Sequence, residues 1–128
     1  MATNLVKDNG NILPVVVTHP AAPTSGAPVR FGSIIGVATA AEGAGGAAAT
    51  QTVVDFTPGR IYDLAVDDNE GSGIAAGDLL YYHDTATGSP ATSLNNSAAS
   101  ANAFGAIALE ALGANATGTI QVMIRPTS

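Results

Sequence analysis

Short apolar runs recur along the whole chain, and turn-forming residues bound each of them. The clearest run covers residues 119–125, in which apolar residues alternate with residues of the opposite face. This alternation places Ile120, Val122 and Ile124 on the inward face. A two-residue period is typical of a half-buried strand, and no stretch sustains a period of 3.6 residues. The pattern therefore favours strands over helices.

Other runs of the same kind predict the remaining strands. They lie at residues 12–18, 29–38, 51–56, 60–66, 78–83, 89–94 and 104–109. Glycines inside the 29–38 run indicate a tight turn or bulge between two short strands. About seven or eight short strands at regular spacing are typical of an all-β domain. We expect a small antiparallel β-barrel or sandwich with long Ala/Gly/Ser loops, and the pattern does not choose between the two.

The length of 128 residues predicts one domain. We expect an N-terminal arm over residues 1–11, which has no firm strand pattern, and a single β domain over residues 12–128. The first residues contain no apolar core of a signal peptide, so we expect no secretion signal. No apolar run approaches about 20 residues, so we expect no membrane-spanning segment.

Charge is scarce in this chain and its balance is acidic. Charged residues make up 11% of the sequence, and ten acidic residues outnumber four basic ones to give a net charge of −6. Four scattered cations cannot neutralise a run of phosphates, so neither nucleic acid nor an anionic membrane is an expected partner. Trp is absent and Ala is abundant, which predicts a thin core that a partner subunit could complete. Cys is absent too, which excludes disulfides and thiolate chemistry.

The stretch "DLLYYHD", residues 78–84, carries the most varied chemistry in the chain. His83 beside Asp84 could form a general base and its orienting carboxylate. Neighbours in a strand point to opposite faces, however, and no G-x-S-x-G motif supplies a nucleophile. We therefore expect no enzyme, but a β-hairpin in which Asp84 and Gly88 form the turn and "SPATSL" is the return strand.

The acidic stretch "DDNEG", residues 67–71, raises the question of calcium. Asp67 and Asn69 fit the first two positions of a calcium loop, but Gly71 stands where the third ligand belongs. An acidic turn is the better interpretation. The Gly-rich "GAGG" at residues 43–46 lacks the Lys-Thr of a phosphate loop. We expect no metal and no cofactor.

The order of several segments carries a resemblance. "SGAPV" is followed by "GVA", "AAGDLLYY" precedes a D-x-x-x-G turn, and the chain closes with "FGAIALEA" and "GTIQVMI". This arrangement resembles the capsid cement, or head decoration, proteins of tailed bacteriophages over nearly the whole chain. The sequence departs from them in longer loops around residues 41–50 and 67–73, and in Ala27.

The resemblance implies a structural protein on the outer capsid surface of the virion, made in the host cytoplasm. Its partners would be the major capsid protein, whose neighbouring subunits it would stabilise, and itself as a homotrimer. We expect the arm to pair with a capsid strand or a neighbouring subunit by β-addition, and two tyrosines to lie at contacts. The expected contact residues are Ala2, Thr3, Asn4, Leu5, Val6, Tyr81 and Tyr82. The alternative is a carbohydrate- or host-surface-binding β module displayed on the virion, which would use exposed tyrosines.

Overall fold

The computed structural model describes residues 12–87 and 92–125, which contain nine strands and no helix. The all-β prediction is confirmed, with slightly more strands than expected. No helix in these ranges is long and apolar enough to cross a membrane. The strands are β1 Ile12–Val15, β2 Pro28–Phe31, β3 Ile34–Ala38, β4 Thr52–Asp55, β5 Ile61–Asp67, β6 Leu79–Thr87, β7 Thr92–Asn95, β8 Ala103–Ala108 and β9 Thr117–Ile124.

The first four strands form one antiparallel sheet in the order β1-β4-β3-β2. The predicted break in the 29–38 run is a tight turn between β2 and β3, where Gly32 has a φ of 62°. Such a left-handed conformation carries no steric penalty for glycine. Gly36 in β3 has a different role. The ring of Phe56 and the side chain of Val54 pack directly over its backbone.

The other five strands form a closed barrel in the order β5-β7-β6-β8-β9. Strands β5 and β9 pair over seven positions, from Ile61 with Met123 to Asp67 with Thr117. Strand β7 joins β5 through a single parallel pair, Asp67 with Asn95. Because the barrel is closed, each of these five strands has a hydrogen-bonded neighbour on both sides over at least part of its length.

The core lies inside the barrel and continues into the four-stranded sheet. The predicted inward residues Ile120, Val122 and Ile124 are at most 4% exposed, as expected from their alternation. Ile35 and Val37 of β3 belong to the same buried cluster. Strand β3 therefore contributes to the barrel core, while Val29, Ala38 and Val54 form a second buried cluster within the four-stranded sheet.

The predicted hairpin partners are present, but β6 is longer than predicted. Strands β6 and β7 pair antiparallel, with Tyr82 opposite Leu94. Strand β6 continues through Thr87, so Asp84 lies within the strand rather than in the turn. Its carboxylate binds the Arg30 side chain instead of capping backbone N–H groups. Gly88, the other predicted turn residue, lies outside the described residues.

Candidate interaction surface

An uninterrupted row of apolar side chains crosses the outside of the barrel. Ile61 of β5 pairs with Met123 of β9, Met123 pairs with Ile107 of β8, and Ile107 pairs with Leu79 of β6. Directly paired residues in neighbouring strands project from the same side of a sheet. Four apolar residues from four strands therefore lie side by side.

Two aromatic residues extend this row. Tyr81 of β6 pairs with Phe104 of β8, next to the pair formed by Leu79 and Ile107. Together with Arg125, these side chains line an open groove of about 510 Å³ whose surface is mostly apolar. We call the surface formed by the six apolar residues the barrel face. Its members are Ile61, Leu79, Tyr81, Phe104, Ile107 and Met123.

The barrel face is substantially open to solvent. Leu79 is 57% exposed, Ile61 54% and Phe104 47%, while the other three members are half-buried. Outward positions of an antiparallel sheet that faces water are normally polar. Single exposed apolar residues are common on proteins, but contiguous apolar patches mark interaction sites. The barrel face is thus the strongest candidate for a partner contact among the described residues.

Opposite charges flank the four-residue row along the strand direction, and the cation also lines the groove beside Phe104. Arg125 follows Met123 by two residues on one side of the row, and Asp63 follows Ile61 by two residues on the other. Both side chains are exposed. Within the described part of the chain no ion pair joins either of them to another residue, whereas Arg30 pairs with Asp84 and Arg60 with Asp55.

The sequence predicted the inward face of β9, and therefore that Met123 and Arg125 lie on its outside, but it did not predict the row. What places Ile61, Met123, Ile107 and Leu79 together is the register of four strands, which depends on pairing between residues far apart in the chain. Local patterns do not contain that information.

The structure separates the two predicted contact tyrosines. Tyr81 is half-buried and belongs to the barrel face. Tyr82 points inward, is fully buried and belongs to the core cluster. Its expected role at a surface contact is therefore corrected to a core role. The expected contact residues of the arm, Ala2 to Val6, lie outside the described residues.

A polar cluster occupies the junction between the two sheets, near the stretch that raised the question of catalysis. The Tyr82 hydroxyl and His19 Nδ1 share a hydrogen bond of 2.7 Å. The guanidinium of Arg30 donates to both carboxylate oxygens of Asp84, which holds the pKa of Asp84 below its ordinary value. His83 instead points away to the Ser97 carbonyl, 2.8 Å from its Nε2. The side chains of His83 and Asp84 thus point to opposite sides of β6 and do not contact each other, as expected for neighbours in a strand.

A buried carboxylate connects the sheets at another point. Asp55 at the end of β4 accepts hydrogen bonds from the Thr57 backbone and the Tyr62 hydroxyl, and Arg60 Nη1 lies 3.4 Å from its Oδ2. Burial pushes the pKa of Asp55 up, but these hydrogen bonds and the nearby cation outweigh it and lower the pKa. These contacts join β4 to β5 and stabilise the fold.

The acidic stretch 67–71 forms a turn around Asp68. Its carboxylate accepts backbone N–H groups from Gly71, Gly73 and Asn115, at 3.1, 2.7 and 2.8 Å, and the Asn96 side chain at 2.8 Å. Burial raises the pKa of Asp68, but the four donors outweigh it and lower the pKa. Within the ranges 12–87 and 92–125, no three His, Cys, Asp or Glu side chains gather as a metal site would require. Asp68 is thus occupied in organising loops.

Comparison with known proteins gives one match. The model of the phage cement protein family matches residues 7–124. The match covers all nine strands and every residue of the barrel face. It does not include the arm before residue 7. No match was found among curated proteins or among solved structures.

Proposed function

Since the chain belongs to the phage cement protein family and is thus a structural protein of the phage particle, we propose that it binds the outer surface of the capsid. There it stabilises neighbouring major capsid subunits and acts as a homotrimer, after synthesis in the host cytoplasm. The observation that carries this proposal is the family match over residues 7–124. Attachment through several copies lets weak individual contacts add up to tight retention.

The capsid contact of this proposal is the N-terminal arm, residues 1–11. The arm leads directly into β1, which within the described residues pairs only with β4 and is therefore an edge strand of its sheet. An edge strand presents unpaired backbone N–H and C=O groups that can bind a further strand. We propose that Ala2 to Val6 form such a pairing with a capsid strand, beside the free side of β1.

Cosedimentation with phage heads that lack this protein tests the proposal. The purified chain should bind mature heads saturably, at a fixed ratio to the major capsid protein, and should raise the temperature at which the heads release their DNA. A head-binding level that rises linearly without saturation, or no gain in heat resistance, would contradict the cement role.

The arm is tested by deleting residues 1–6. The truncated chain should keep its circular dichroism spectrum and melting temperature but lose binding to heads. The matched control is Glu42→Gln, a substitution in an exposed loop far along the chain from the arm. It should bind as the unaltered chain does. Normal decoration by the truncated chain would exclude the arm as the capsid contact and leave the cement role intact.

A further inference from the structure

We propose that the barrel face joins copies of this chain to one another, three in a closed ring. This inference rests on the proposed trimeric cement role and identifies the surface and the charged residues that build the trimer. The partner of the barrel face is accordingly a second copy of the same chain, and the capsid is bound elsewhere.

The apolar content of the barrel face favours a stable protein partner. Three of its six members are between 47% and 57% exposed, and a contiguous exposed apolar patch is often functional. A standard interface buries about 800 Å² per partner, so the margins of the barrel face must contribute as well. Those margins carry Arg125 and Asp63, which lie outside the row on either side.

The charges of the margins fit a second copy of the same chain. A strand advances about 3.3 Å per residue, so Arg125 and Asp63 lie roughly 13 Å apart along the strand direction. The cation is on one margin and the carboxylate is on the other. When two copies meet margin to margin, Arg125 of one therefore faces Asp63 of the next. Opposite charges across an interface fix its register and steer association.

In the proposed trimer each copy meets one neighbour through its Arg125 margin and the other neighbour through its Asp63 margin, so the contact is head-to-tail. Head-to-tail contacts form closed rings when the rotation between copies closes on itself. We take the threefold axis of the ring to be parallel to the apolar row. The three rows then face the axis, and the margins of neighbouring copies meet at three contacts, which we call the seams. Every seam then pairs one Arg125 with one Asp63, and no charged residue of the pair is left over.

The chain itself therefore supplies both sides of the contact. The barrel face of one copy packs against the barrel faces of the others. Arg125, which has no ion pair within the described residues, contacts the exposed carboxylate of Asp63. The chain has a net charge of −6, so copies repel one another at long range. A specific cation at each seam offsets this repulsion locally, which gives Arg125 a role that a cation elsewhere on the surface could not fill.

The mass of the protein in solution, measured by light scattering without capsids, tests the apolar part. The unaltered chain should have the mass of three copies, and Leu79→Asp should have the mass of one. Val16→Asp is the matched control, because Val16 is 58% exposed and Leu79 57%, but Val16 lies outside the barrel face. It should remain a trimer. Circular dichroism should show that both variants are folded.

Charge reversal tests the seams. Arg125→Asp and Asp63→Arg should each raise the concentration at which the trimer dissociates by roughly tenfold or more, because each creates a like-charge contact. The double variant, in which the two charges exchange places, should recover most of that loss. Glu42→Arg makes the same change of charge as Asp63→Arg in an exposed loop, and should leave the trimer unchanged.

The remaining outcomes separate this inference from the cement role. A chain that is monomeric without substitutions overturns the ring. A trimer that survives Leu79→Asp and both charge reversals overturns the barrel face as its interface, and saturable head binding would still uphold the cement role. A Leu79→Asp trimer that no longer binds heads would assign the barrel face to the capsid instead, which also overturns the inference.

Discussion

Arg30 donates two parallel hydrogen bonds to Asp84, from Nε to Oδ1 at 2.8 Å and from Nη2 to Oδ2 at 2.7 Å. Arg30 lies in β2 of the four-stranded sheet, and Asp84 lies in β6 of the barrel. Arg30 Nη1 also donates to the Gly32 carbonyl, 2.6 Å away, and this third hydrogen bond fixes the orientation of the guanidinium group. Paired hydrogen bonds of this kind are directional as well as strong, so they set how the two sheets meet.

Breaking this ion pair should destabilise the fold. Arg30→Met leaves the partly buried Asp84 carboxylate without its two donors, and we expect the free energy of unfolding to fall by about 1–3 kcal/mol. Asp84→Asn should cost a similar amount. Urea unfolding of both single variants and of the double variant gives the coupling energy. Strictly additive losses would contradict a direct interaction.

The same pair predicts how stability depends on pH. The Arg30 hydrogen bonds hold the pKa of Asp84 below 3.8, its ordinary value. A lowered pKa in the folded state means that the unfolded state takes up the proton first as the pH falls. The stabilisation is therefore complete at neutral pH and is lost below about pH 4, toward the pKa of the folded state. The gap in unfolding free energy between the unaltered chain and Asp84→Asn should be largest at neutral pH and shrink in acid. A constant gap would contradict this assignment.

Asp68 should be among the most sensitive carboxylates in the chain. Asp68→Asn replaces one acceptor oxygen by an amide that faces N–H groups, so we expect a loss of about 1–3 kcal/mol in the free energy of unfolding. Glu70→Gln is the control in the same turn, because Glu70 is exposed. It should change stability by less than about 0.5 kcal/mol. Chemical denaturation measures both, and equal effects would show that Asp68 is not the centre of these loops.

Two glycines should respond differently to the same substitution. A Cβ atom at Gly36 would lie 2.5 Å from Val54 Cγ1 and 2.8 Å from the Phe56 ring, whereas one at Gly113 would meet no atom within 4 Å. Gly36→Ala should therefore lower stability by about 1–3 kcal/mol through overpacking. Gly113→Ala should be neutral or stabilising by up to about 1 kcal/mol, since it restricts the unfolded chain. Thermal melting of the two variants checks this, and a stable Gly36→Ala would contradict the close packing of Phe56.

The strands and their inward faces could be predicted because they follow a local two-residue period. Ile120, Val122 and Ile124 are buried as that period requires. The partner of Asp84 could not be predicted, because Arg30 is 54 positions away and only the fold brings the two together. The sequence D-T-A-T-G is typical of a turn, and this local signal was wrong because Arg30 takes up the carboxylate and β6 continues past it.

The two tyrosines show the same limit. Adjacent strand residues face opposite sides, so one of Tyr81 and Tyr82 had to be buried. Which one is buried depends on where the barrel closes. Tyr82 shares the inward side with Leu80, and both are fully buried. The barrel face likewise follows from the register of four strands, which no single stretch specifies.

The pairing of β5 with β9 has a consequence for synthesis. Residues 61–67 leave the ribosome well before their partners, residues 117–123. Until then, one side of β5 has no neighbour, and the barrel cannot close. Closure over such a sequence separation is slow compared with forming local hairpins. A chain whose translation stops before residue 117 therefore lacks the main partner of β5 and cannot close the barrel.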